Sequence, residues 1–161
     1  MPSRRRRRPE RGQRQFYSGK KKRHTIKTQV VVVRKRKSPG PGAKPRRLRI
    51  AAVCQSHPGS VHDKKVDDAA RVVAPRDAKR TGDTAYLGTA LETPTRKPRG
   101  GQLSERQRAG NRRLSQRRVA AEHGIGTMKV WRVACERYRN PVGRHTLIMK
   151  NVAGLHNLMY A

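Results

Sequence analysis

A mixed α/β domain is what this 161-residue sequence predicts, and three observations lead there. Residues 24–33 and 48–55 are dense in β-branched and apolar side chains, as strands require. From Ser104 to Gly124 runs a series of helix formers with few breaks. Residues 145–158 place Leu147, Ile148, Val152, Leu155 and Leu158 at helical intervals. The length suits one domain with a real core and is short for two.

Taken in order, residues 1–23 are nearly all basic or polar and cannot bury enough apolar surface to order themselves. They read as a disordered basic tail, and the domain proper spans 24–161. Thr25, Ile26, Thr28 and Val30 to Val33 suit a strand covered on both faces. Residues 34–47, with their Ser-Pro-Gly-Pro-Gly, form a basic loop, after which 48–55 returns as the partner strand of a hairpin. Residues 56–62 read as a turn into a short helix near 63–73, with Ser60 as its cap and Asp63 completing a capping box. Residues 81–87 read as a short strand between Gly82 and Gly88, and 93–102 as a Pro/Gly-rich basic loop. Ser104 is placed to cap the next helix, in which Leu114, Ala121, Ile125 and Met128, with Cys135 beyond, mark the face toward the core. With 33% hydrophobic residues, that core must be small, built from the two strands and the last helices.

Charge sets the partner. Forty-one Lys and Arg stand against ten Asp and Glu, a formal net charge of +31. Such a field binds polyanions by counterion release, which is independent of sequence and sensitive to salt. Nucleic acid is therefore the expected partner. No segment approaches eighteen consecutive apolar residues, which argues against a membrane. The start, Met1-Pro-Ser-Arg-Arg-Arg-Arg-Arg-Pro9, lacks the apolar stretch of a secretory signal, so the expected location is cytoplasmic, in association with the nucleoid. Cys54 and Cys135 make no Cys-x-x-Cys pair and read as buried thiols, and Cys54, His57 and His62 lack the spacing of a zinc site.

Two of the ten acids sit in distinctive surroundings: Asp83 in Thr81-Gly-Asp-Thr-Ala-Tyr-Leu-Gly88, and Glu122 in Arg118-Val-Ala-Ala-Glu-His-Gly-Ile-Gly-Thr-Met-Lys129. Hard divalent cations take oxygen ligands, and a two-ion phosphodiester cutter needs carboxylates from separate elements converging on one point. Asp83, at a strand end, and Glu122, on a helix face, are the candidates for such a pair. The alternative for any such pair in a basic chain is plain neutralisation of neighbouring arginines.

Five segments in sequential order carry a family resemblance. They are Tyr17-Ser-Gly-Lys-Lys-Lys-Arg-His-Thr-Ile-Lys27, His57-Pro-Gly-Ser-Val-His-Asp-Lys-Lys65, Gly82-Asp-Thr-Ala-Tyr-Leu-Gly88, Ala121-Glu-His-Gly-Ile-Gly126 with Lys129, and Val152-Ala-Gly-Leu-His-Asn-Leu158. Together they resemble the DDE superfamily endonuclease domain of insertion-sequence and Harbinger-type transposases. The resemblance implies an RNase H-like fold, a central mixed sheet with acids at strand ends and a helix bringing in a final Glu. It matches Asp83 to the second catalytic Asp and Glu122 to the catalytic Glu, implying that the two hold Mg²⁺ or Mn²⁺, and matches Asp63 to an acidic position that accompanies the site.

The family's first Asp, on a first strand upstream of Tyr17-Ser-Gly, has no match, since Glu10 is the only acid before residue 60. The resemblance therefore implies a domain missing its first strand and inactive alone. It also implies transposon ends and target duplex DNA as partners, with homo-oligomers in the intact family. Lys20, Lys21, Lys22 and Arg23 adjoin the site in that family and are expected to touch the DNA backbone.

A second reading of the window 119–138 is a DNA-binding helix-turn-helix without catalysis. It turns at Gly124 and has a recognition helix over 127–137 that aims Lys129 and Arg132 at bases. A helix continuous through Gly124 supports the endonuclease; a sharp break there supports the module. Plainer readings attach to other residues: His62 and His123 as hydrogen-bond partners, Trp131 as a packed side chain, and Arg132 with Glu136 as an i, i+4 pair.

Overall fold

The computed structural model describes residues 12–34, 48–72 and 78–160. The 34–47 loop lies almost wholly outside them, as do residues 1–11. The chain divides into two compact units, residues 1–61 with 121–161, and residues 62–120.

The first unit opens with a 3₁₀ turn, Gln13–Phe16, followed by a two-stranded ribbon, β1 (Tyr17–Ser18) and β2 (Arg23–His24). Part of the stretch read as a tail is thus structured. Phe16 supplies the reason, since it is buried against Ile26 and Tyr138. The main hairpin joins β3 (Ile26–Arg34) to β4 (Leu48–Pro58), antiparallel from Ile26↔Pro58 to Arg34↔Leu48, with irregularities at Thr28/Val30 and Val31/Val32. β4 runs three residues further than expected, because Ser56 is held there. Its amide donates to Thr146 Oγ1 at 2.9 Å, and its hydroxyl lies 2.8 Å from Thr28 Oγ1 and 2.7 Å from His145 Nδ1. β3 is less covered than its composition suggests, for Val33 is 45% exposed.

Among the described residues, the end of α2 (Glu105–Met128), α3 (Arg132–Cys135), a 3₁₀ turn (Val142–Arg144) and α4 (His145–Tyr160) complete this unit. Ile50, Met128, Ala134, Met149, Val152 and Ala153 form the main core, with Val30, Val32, Val53, Trp131 and Val133 packed around it. The face of α4 that turns inward is His145, Met149, Val152, Ala153 and His156. The apolar residues expected there divide otherwise: Val152 is buried, Ile148 packs on the Phe16 cluster, and Leu147, Leu155 and Leu158 are exposed. Buried histidines are tolerated because each has a polar partner: His145 has Ser56, and His156 Nε2 has Thr127 Oγ1 at 2.7 Å. Asn157 locks α4 to β4, its amide accepting from Ile50 N at 2.8 Å and donating to Ile50 O at 2.9 Å.

The second unit contains α1 (Asp63–Ala70), a 3₁₀ turn at Thr84–Tyr86, and the first part of α2. His62, not Ser60, caps α1 by accepting from Lys64 N, because the Ser60 hydroxyl is engaged with the Gln15 carbonyl. Ser104 caps α2 as expected: its hydroxyl accepts from Gln107 N while Gln107 Oε1 accepts from Ser104 N, a reciprocal box. Among the described residues both sheets are two-stranded and antiparallel, so the mixed sheet that the resemblance implies is not formed by them. None of the described helices is long and apolar enough to cross a membrane.

Candidate functional site

Asp83 is held in the second unit by its own local chemistry. The stretch 81–87 is not a strand. Thr81 makes one isolated bridge to Glu92, and the chain then turns into the 3₁₀ segment with Asp83 as cap, its Oδ1 accepting from Ala85 N at 2.8 Å. The side-chain cap offers the backbone an alternative to a strand ladder, which is why the segment turns. Gly82 is buried, and a Cβ there would lie 3.1 Å from both Leu91 Cδ1 and Tyr86 Cβ, so its smallness sets the position of Asp83.

Glu122 is exposed on α2, in the part of that helix belonging to the first unit. The helix runs unbroken through Gly124 to Met128. This overturns the helix-turn-helix reading, since the turn at Gly124 is absent and only four residues, Arg132–Cys135, form a helix where a recognition helix was expected. The glycine serves packing: a Cβ at 124 would sit 2.9 Å from Val32 Cγ1 and 3.6 Å from Ile50 Cδ1, so its absence lets α2 lie close on the hairpin.

The basic candidates lie on the first unit. Lys20, Lys21, Lys22 and Arg23 are exposed at the β1–β2 connection, where Lys21 N donates to Ser18 Oγ and Lys22 takes a left-handed φ of 51°. Lys129 and Arg132 are exposed beyond the end of α2. Arg132 pairs with Glu136 at 2.5 Å, and this hydrogen bond with the carboxylate charge raises its guanidinium above the ordinary arginine range. Cys54 is half-buried and Cys135 is exposed, contrary to the expectation of two buried thiols, and neither is in a disulfide. Asp63 opens the first turn of α1, His62 caps that helix, and the His123 carbonyl accepts from Thr127 Oγ1.

A resident divalent ion needs several oxygen ligands around one point. Among the described residues no three His, Cys, Asp or Glu form such a group. Asp83 belongs to one unit with one carboxylate oxygen already engaged, and Glu122 belongs to the other. The described residues of either unit, taken by itself, do not fit a metal centre.

A second feature of the 62–120 unit was not anticipated. A groove of 430 Å³ is lined by Glu92, Thr93, Thr95 and one face of α2 that includes Arg106, Arg113 and Arg117. The sequence signal for it was present in arginines at i, i+7 and i+11 with Gly110 between them.

The sequence profile described as DDE superfamily endonuclease matches residues 4–157, and the chain belongs to that family. A relative from Microchaete diplosiphon, described as "Probable transposase for insertion sequence element IS702", is 30% identical over 156 residues, covering 93% of this chain. The chain spans about half, 52%, of that relative's length. No solved structure matches the chain significantly.

Proposed function

We propose that this chain is an RNase H-like DDE domain acting on DNA in transposition, and that Asp83 and Glu122 are two of the acids of its ion centre. The observation that carries this reading is the uninterrupted α2, which presents Glu122 from a rigid helix rather than from one arm of a helix-turn-helix. Asp83 and Glu122, joined by a further acid, would hold the divalent ions, which when bound would supply charge neutralisation and nucleophile activation for phosphodiester cleavage and strand transfer. The third acid has no match in this sequence, so the chain by itself does not cleave. Its remaining work is to hold DNA, with Lys20 to Arg23, Lys129 and Arg132 as backbone contacts, in keeping with association with the nucleoid.

The DNA reading is tested by fluorescence anisotropy with labelled duplexes of unrelated sequence. Equal affinity for all of them, falling steeply between about 50 and 200 mM salt, is expected. An affinity insensitive to salt contradicts it. The acid pair is tested by Mn²⁺ binding in a double-mutant cycle: Asp83→Asn and Glu122→Gln each weaken binding, and the double variant loses no more than either single one. Losses that add, or no loss, remove the two residues from a common centre.

A further inference from the structure

We propose that the groove between residues 92–95 and α2 is a DNA-binding site, seating the phosphodiester backbone of one strand. This rests on the reading of the chain as a DNA-acting domain and adds a contact surface to it. Arg106, Gly110, Arg113 and Arg117 stand at i, i+4, i+7 and i+11, on one face of the helix. All four line the groove and are exposed. Gly110 has nothing within 4 Å of where a Cβ would be, which leaves the interval between the arginines open. Eleven residues of helix span about 16 Å. A row of that length lets its three guanidinium groups meet neighbouring phosphates of one strand. Planar guanidinium forks suit phosphate oxygens better than ammonium groups do.

The groove is built. Its floor is Leu114, 7% exposed. Its far wall is tethered to the helix by Asn111, which accepts from Thr95 N at 2.8 Å and donates to Thr95 O at 3.0 Å. Glu92 is fixed through its backbone, donating to Arg80 O at 2.9 Å and accepting from Gly82 N at 3.0 Å. Its carboxylate accepts from Arg117 Nη1 at 2.8 Å, with both side chains about half exposed. This is the one acid in the lining, and it holds Arg117 in place of a phosphate until DNA arrives. An exposed pair of this kind is weak enough to yield.

In a chain of this charge any arginine adds to DNA affinity, so the test compares positions of equal charge. Arg108 and Arg112 are exposed on the same helix but do not line the groove. Duplex binding by the full chain is measured against salt for Arg106→Gln with Arg113→Gln, for Arg108→Gln with Arg112→Gln, for Glu92→Gln and for Glu105→Gln, with thermal melts confirming the fold. The groove pair lowers the slope of log affinity against log salt by about 1.8, and the control pair by clearly less. Glu92→Gln releases Arg117 and tightens binding more than Glu105→Gln, which removes an equal charge from an exposed acid of α2 outside the groove, an arm that stands even where the arginine variants fold poorly. Equal losses for the two arginine pairs, or a gain from Glu92→Gln no larger than that from Glu105→Gln, overturn the groove while leaving DNA binding intact. A wild-type chain that binds no duplex overturns the underlying reading instead.

Discussion

Gly59 and Thr25 are in such close contact that a Cβ on Gly59 would lie 1.9 Å from Thr25 Oγ1 and 2.7 Å from the Thr25 carbonyl oxygen. The backbones are bonded there, Gly59 N donating to Thr25 O at 2.9 Å while Thr25 N donates to Phe16 O at 2.7 Å. Two segments of the family signature meet at this point, and Lys27 Nζ donating to Val61 O at 2.7 Å reinforces the junction. Because carbonyl oxygens, including Phe16 O at 2.8 Å, crowd the Cβ position, no side-chain rotation relieves a substitution. Gly59→Ala should cost about 1–3 kcal/mol or more in a thermal or urea melt. A variant as stable as the parent contradicts this packing.

Gly124 and Gly126 make an internal control two residues apart on α2. At Gly126 a Cβ meets nothing within 4 Å, so Gly126→Ala should stabilise by about 1 kcal/mol through helix propensity. At Gly124 the same gain is set against about 1–3 kcal/mol of overpacking on Val32, and the balance is a loss or near zero. Chemical denaturation of the two variants should separate in that order, and the reverse order would show that α2 does not lie against the hairpin.

The cluster of buried Thr28 and His145 with half-buried Ser56 is structural, since all of it belongs to the first unit and His145 is only 2% exposed. Ser56→Ala removes the hydroxyl that joins the other two and should destabilise by about 1–3 kcal/mol. Ser56→Thr, which keeps the hydroxyl, should lose less of the hydrogen-bond energy. Equal losses would attribute the effect to shape alone.

The two units differ in how much apolar surface they bury. Among the described residues, Val66 and Leu114 are the buried hydrophobics of the 62–120 unit, whereas the other nine belong to the first. Native-state hydrogen exchange should therefore release amides of α1 and the start of α2 before those of β3, β4 and α4. Uniform protection across both units would contradict the division.

What could be read from the sequence followed from strong local signals. The hairpin declared itself through β-branched density, and α2 and its Ser104 cap through propensity and spacing. Failures arose where a side chain did work that a hydrophobicity pattern does not register. Asp83 turned an expected strand into a 3₁₀ turn by capping it, and Ser60 was drawn from α1 to the Gln15 carbonyl. The inner face of α4 was misjudged because His145 and His156, partnered by Ser56 and Thr127, occupy core positions that leucines were expected to fill. The motif carrying Glu122 also held Gly124, whose meaning, a break or a close approach, only tertiary packing with Val32 decides.

The account joins DNA affinity to the proposal that Asp83 and Glu122 do not complete an ion centre by themselves, and supercoiled plasmid tests both at once. Purified chain is incubated with plasmid and Mg²⁺ or Mn²⁺ at low salt, with gel retardation and nicking scored on the same samples. Retardation should be strong, with no more nicked circles than Asp83→Ala or Glu122→Gln produces. Nicking that needs the divalent ion and disappears in both variants would contradict it.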